Sequence, residues 1–125
     1  MANLHDIRAI ARLQLRSEWA HAQRRNQIID VNVAEPVGTV ITMRAAHVYD
    51  YMTRNAARCP DVFAGFKAVS GDNITGCVFT VEPEGVDCID YALKPVAIEG
   101  LNVDPDYWRQ GIATCLLNMA MNHAA

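Results

Sequence analysis

Long apolar runs, paired metal-ligand spacings and glycine-rich nucleotide loops are all missing from this 125-residue chain. No hydrophobic stretch approaches the roughly 18 to 20 residues that a membrane helix needs. The opening Met1-Ala-Asn-Leu-His-Asp-Ile-Arg has no apolar block shaped like a secretory signal. A cytoplasmic protein without a membrane partner is the expectation. Cys59, Cys77, Cys88 and Cys115 are scattered, with no C-x-x-C pair and no paired histidine spacing, so no metal site is expected. Cys77 and Cys115 lie in apolar segments, which predicts buried or inert thiols. His47 and Asp50 lie one helical turn apart, but two ligands do not make a metal site. Neither G-x-x-x-x-G-K-[ST] nor G-x-G-x-x-G occurs, which excludes a Walker loop and a dinucleotide fingerprint. Internal repeats, low-complexity tracts and interdomain linkers are also absent.

The chain does have an ordinary globular composition, 51% hydrophobic and 20% charged. Its length predicts one domain over 1–125, burying roughly two-thirds of the unfolded surface in a single core. The net charge of −3 is unevenly spread. Arg8, Arg12, Arg16, Arg24 and Arg25 outnumber Asp6 and Glu18 in the first 29 residues, while acidic side chains dominate the rest. On charge the chain is a poor nucleic-acid binder, with its first helix as the exception to test.

Residues 4–29 read as one amphipathic helix, with Leu4, Ile7, Ala11, Leu15, Trp19 and Ala22 on a single stripe. Arg8, Arg12 and Arg16 fall one step round from it. They make either a solvated flank whose stems cover apolar surface or a contact face for an acidic partner or nucleic acid. Residues 1–35 thus form an N-terminal helix and connection. Thr39-Val-Ile-Thr-Met43 is β-branched and short, predicting a strand. Arg44 to Arg58 reads as a helix with Ala45, Val48, Tyr49, Met52 and Ala56 on one face and Pro60 just beyond its end. Val62–Val69 and Ile74–Glu82 are strands joined by Ser70-Gly-Asp-Asn73, whose glycine and asparagine suit a tight hairpin. Val86–Lys94 is either a short strand or a loop. Val96–Val103 is a further strand, and Arg109 to about His123 a last helix with Ile112, Leu116, Leu117, Ala120 and Met121 on its apolar face. The order predicts an α+β fold, a mixed α/β layer with helices covering a largely antiparallel sheet.

The chemistry concentrates where the last strand turns into the last helix. A helix start leaves its first N–H groups without intrahelical partners and adds partial positive charge. Gly111 lets the backbone come close to a ligand, Ala113 is nearly as small, and Pro105 ends sheet pairing. With Arg109 adding a cation, the turn is suited to a phosphate or pyrophosphate. The alternative for the glycine is close strand–helix packing.

The full stretch Leu-Asn-Val-Asp-Pro-Asp-Tyr-Trp-Arg-Gln-Gly-Ile-Ala-Thr-Cys-Leu-Leu, residues 101–117, resembles the acetyl-CoA-binding motif of the GNAT superfamily of N-acyltransferases. Val103, Pro105, Tyr107, Gly111, Ala113, Leu116 and Leu117 fall on its pattern, and the hairpin with Gly76 looks like the family's central one. The resemblance covers residues 62–121. It departs at Trp108, where the motif has Arg or Gln. It implies a GNAT-like sheet and acetyl-CoA held by Trp108, Arg109, Gln110, Gly111, Ile112, Ala113 and Thr114. It also implies that the backbone of Leu101, Asn102 and Val103 pairs with the pantetheine arm.

The implied reaction is attack of an amine on the acetyl thioester, for which a base must take the amine proton. Glu99 is the base candidate, because it shares strand parity with Leu101 and Val103; Tyr91 and Asp90 are candidates for the acid or for acceptor contact. The acceptor is an amine-bearing small molecule or protein. The family pattern continues with further strands after this helix, so the resemblance is to a short or C-terminally truncated member. Three accounts follow: a minimal acetyltransferase completed by a second copy (a homo-oligomer), part of a longer enzyme, or a non-catalytic binding or assembly module acting through its arginine-flanked first helix.

Overall fold

The structure, a computed structural model, describes residues 1–25, 35–83 and 96–124. The ambiguous segment Val86–Lys94, with Cys88, Asp90 and Tyr91, lies outside the described residues. The described chain runs through helix α1 (Ile7–Arg25), helix α2 (Gly38–Arg58), strands β1 (Ala64–Ser70), β2 (Asn73–Val81) and β3 (Ala97–Val103), and helix α3 (Ile112–Ala124). The sheet is antiparallel in the order β1-β2-β3, and the fold is α+β.

β2 is central, and its residues from Thr75 to Val81 are buried on both faces. The alternation of side chains along a strand divides them between two cores. Cys77 and Phe79 face α1 and α2, meeting Ile10, Leu13, Ile41, Val48 and Met52. Val78 faces the other way, with Ala64, Phe66, Val103, Leu116 and Ala120, under α3. The hairpin has the expected two-residue turn, Gly71-Asp72, with Gly71 at φ 61°.

Two expected elements are different. Thr39–Met43 is the first part of α2, not a strand. β-branched residues favour a strand only where a neighbouring strand and a half-buried pleat receive them; here Ile41 packs into the α1–α2 core and Thr42 donates its hydroxyl hydrogen bond to the Gly38 carbonyl one turn back (3.0 Å). The face of α2 turned to the core is Ile41, Val48, Met52 and Asn55, while Tyr49 and Ala56 are exposed. The helix ends where Cys59 precedes Pro60, a position at which helical backbone is disfavoured.

The buried face of α1 is also rotated from the expected stripe. Ile10, Ala11, Leu13, Arg16, Ser17 and Ala20 are buried, whereas Leu4 and Trp19 are exposed. The rotated face carries Arg16 inward, to Asp104 and Asp106. Arg8 and Arg12 stay on the solvated flank, while Arg16 is buried, and all three bond within the chain. Arg8 bonds Thr42 (3.0 Å), Arg12 forms a bidentate pair with Glu35, and Arg16 bonds Asp104 and Asp106. The hydrogen bond from Arg12 holds the Glu35 carboxyl below its usual range.

Candidate functional site

β3 ends in Val103 and Asp104, and the Asp104 N–H still pairs with the Thr75 carbonyl (2.8 Å). Pro105 then opens a single 3₁₀ turn, Pro105–Tyr107. The Asp104 carboxylate accepts from the Asp106 N–H (3.0 Å) and so caps this turn. Arg16 clamps the same turn with 3.0 and 3.2 Å bonds to Asp104 and a 2.9 Å bond to Asp106. Past it, φ is positive at Arg109 (67°) and at Gly111 (78°) but not at Gln110 between them. Such alternation turns successive backbone N–H groups toward one concavity. α3 therefore begins at Ile112, three residues later than the pattern of apolar residues suggests.

The first hydrogen-bonded amide of α3 is Cys115, to the Gly111 carbonyl (3.1 Å). The N–H groups of Gly111, Ile112, Ala113 and Thr114 precede it and have no partner among the described residues. A cavity of about 450 Å³ opens there, lined by Leu101, Val103, Trp108, Arg109, Gly111, Ile112, Ala113 and Thr114. Among the described residues that line it there is no carboxylate, although the chain as a whole is net acidic. The space around Gly111 is open, so a ligand can approach its backbone unhindered. Unpartnered amides, a helix start and guanidinium groups around an open cavity fit the diphosphate of an acyl-CoA.

Most of the residues that the motif implied are thus together. Gln110 does not line the cavity. The Asn102 side chain instead donates to the Gly100 carbonyl (3.2 Å), and Asn102 pairs with Cys77, whose side chain lies on the opposite face. His21, Arg24 and Tyr107 are the other described residues of the lining. Tyr107 was visible as part of the motif. His21 and Arg24 were not, because nothing local in the sequence brings the end of α1 to this turn.

Glu99 has a different setting from the one its parity predicted. Cys77 pairs with Asn102, but Phe79 pairs with Glu99, so Val78 alone stands opposite both Gly100 and Leu101. This is a β-bulge with Gly100 at φ 64°, a left-handed conformation that glycine adopts without strain. The extra residue reverses the alternation. Val103 joins the α3 face, while Glu99 turns to α2, where the Tyr51 hydroxyl donates to its carboxylate (2.8 Å). Burial, and secondarily this bond to Glu99, raise the Tyr51 pKa above its usual value. Tyr51, Arg54, Asn55, Arg58, Glu82 and Glu99 line a second cavity of about 310 Å³ on this side. Tyr91, the other catalytic candidate, lies outside the described residues. Among the described residues no group of three or more His, Cys, Asp or Glu is placed to hold a metal.

The described elements thus make a layered α+β fold, with an open helix start beyond a bulged strand. The profile of the acetyltransferase (GNAT) family matches residues 6–125, and the chain belongs to that family. The fold is similar to the crystal structure of a GCN5-related N-acetyltransferase from Ralstonia eutropha JMP134, with a TM-score of 0.56 at 20% identity, covering 97% of this chain and 71% of that one. A search of curated proteins found no match. No helix among the described residues is long and apolar enough to cross a membrane.

Proposed function

We propose that the protein is an acetyl-CoA-dependent N-acetyltransferase acting on an amine. The single observation that carries the cofactor reading is the set of amides from Gly111 to Thr114, unpartnered among the described residues, facing a cavity whose described lining has no carboxylate. Acetyl-CoA supplies the acetyl group as an activated thioester. The protein's part is to hold and to deprotonate. Amides 111–114 and Arg109 bind the diphosphate, and Leu101–Val103 offer an edge for the pantetheine arm, since no described strand pairs with the outer side of β3. The bulge at Gly100 brings the two faces of the sheet into play at one edge: cofactor from the α3 side, acceptor from the α2 side.

Glu99 serves as the base, taking a proton from the ammonium form of the acceptor directly or through water. Tyr51 orients that carboxylate by donating one hydrogen bond to it. The acceptor is an amine-bearing small molecule or protein segment that reaches the Tyr51–Glu99 groove. The reading as an assembly module acting through the first helix has less support, because Arg8, Arg12 and Arg16 all bond within the chain.

The test is acetyl-CoA-dependent thiol release over a panel of amines, comparing the wild type with Glu99→Gln. Release that requires an amine and falls by about a hundredfold in the variant supports the reading. Release that persists unchanged in Glu99→Gln removes the base assignment. Absence of release with every amine, despite CoA binding, favours a binding module.

A further inference from the structure

Trp108 stands where the resembled motif has Arg or Gln, so the turn lacks one hydrogen-bond donor of its own. The structure brings a guanidinium there from another element. The Arg24 guanidinium carbon lies 4.4 Å from the centroid of the Trp108 ring, within cation–π range. The ring itself is fixed: its Nε1–H donates to the Val103 carbonyl (2.8 Å), and His21 packs on it with centroids 4.7 Å apart. Trp108 is thus a platform tied to the end of β3, and Arg24 rests on it. Both His21 and Arg24 line the same cavity as the amides of Gly111–Thr114.

Two further facts bear on Arg24. Arg12, Arg16 and Arg44 each have a carboxylate partner, whereas Arg24 is exposed and has none among the described residues. A guanidinium resting on an aromatic ring also keeps its N–H fork available in its own plane, which suits phosphate oxygens. Arg24 and Arg109 therefore bring two positive charges, neither with a carboxylate partner among the described residues, to one cavity beside a helix start, and a polyanion relieves their repulsion.

We infer that the last turn of α1 is a wall of the acyl-CoA site, and that Arg24, carried on Trp108, binds the phosphates of the ligand. This assignment rests on the acyl-CoA reading above and adds to it a binding residue from outside the motif. Arg24 holds an anionic part of the ligand and takes no part in proton transfer. Its contribution is electrostatic and weakens as salt rises.

The experiment is calorimetric titration of CoA, 3′-dephospho-CoA and pantetheine into the wild type, Arg24→Met and Arg25→Met. Arg25 is the neighbouring exposed arginine and does not line the cavity, so its replacement controls for the loss of one charge. Thermal melting without ligand checks that each variant is folded. The expected result is a CoA dissociation constant about tenfold or more higher in Arg24→Met. It should be unchanged in Arg25→Met, with pantetheine binding the same in all three. A smaller loss with 3′-dephospho-CoA than with CoA assigns Arg24 to the 3′-phosphate, and an equal loss assigns it to the diphosphate; both support the inference. Equal CoA affinity in all three proteins overturns it while leaving the acyl-CoA reading intact, as does an equal loss in both variants or a matching loss with pantetheine. If the wild type binds no CoA at millimolar ligand, the acyl-CoA reading itself fails.

Discussion

Arg16 in the first helix and Asp104 at the end of the last strand form an ion pair across 88 residues of sequence, with side chains only 5% and 6% exposed. The pair ties α1 to the turn that leads into the candidate cofactor site. Replacing Arg16 by Met leaves the buried Asp104 carboxylate with only the more distant Arg12 guanidinium, 3.8 Å away, as a cationic partner, which costs up to about 3 kcal/mol. Urea denaturation should show that loss, and a second change, Asp104→Asn, should recover part of it. If Arg16→Met unfolds at the wild-type urea concentration, the clamp is not what holds the turn.

Gly100→Ala tests the bulge. At φ 64° an added Cβ costs about 1 to 2 kcal/mol, and it would also lie 3.0 Å from the Phe79 ring. The expected outcome is a lower melting temperature together with a raised KM for acetyl-CoA, because the strand edge at Leu101 and Asn102 shifts. A drop in stability with an unchanged KM would separate the bulge from cofactor binding.

These two sites also show what the sequence could reveal. The turn from Val103 to Leu117 was legible because its chemistry is local: a proline to stop the strand, a glycine for positive φ and a leucine-rich helix. The hairpin was legible for the same reason, through Gly71. The parity argument for Glu99 failed at Gly100, since one inserted residue reverses every side chain beyond it. Tyr51 and Glu99 are 48 residues apart and Arg16 and Asp104 are 88 apart, and no periodicity encodes either contact. Thr39–Met43 misled because β-branched composition says nothing about whether a partner strand is present. Of the expectation that Cys115 is a buried or inert thiol, the burial half is not met, since Cys115 lies on the exposed side of α3.

Tyr51→Phe should lower kcat by removing the hydrogen bond that orients Glu99, and should leave the CoA dissociation constant unchanged. It also has a pH signature. The Tyr51 pKa is raised in the folded protein above the ordinary 10.0, so above that pH the unfolded chain gives up a proton that the folded chain keeps. The unfolded state then binds fewer protons, and stability falls as pH rises. Urea melts at about pH 9 and about pH 11 should show a smaller alkaline loss in the variant than in the wild type. An identical loss in both would mean that Tyr51 is not held in its neutral form by the fold.

Thiol reactivity should separate the cysteines. Cys59 and Cys77 are buried, and burial pushes the Cys77 thiol up to about 12, whereas Cys115 is exposed. In a Cys88→Ser background, one thiol should react with an aromatic disulfide in the native protein and three after denaturation. Rapid native reaction of Cys77 would contradict its placement between the sheet and α1.

The most direct test of the account is an amide-resolved NMR titration of the ¹⁵N-labelled protein with CoA. Saturable shifts of the Gly111, Ile112, Ala113 and Thr114 amides, following one binding curve with the Trp108 indole N–H, are the predicted result. If those amides stay in place at millimolar CoA, the start of α3 is not the phosphate site, and the acetyl-CoA-dependent reading is contradicted.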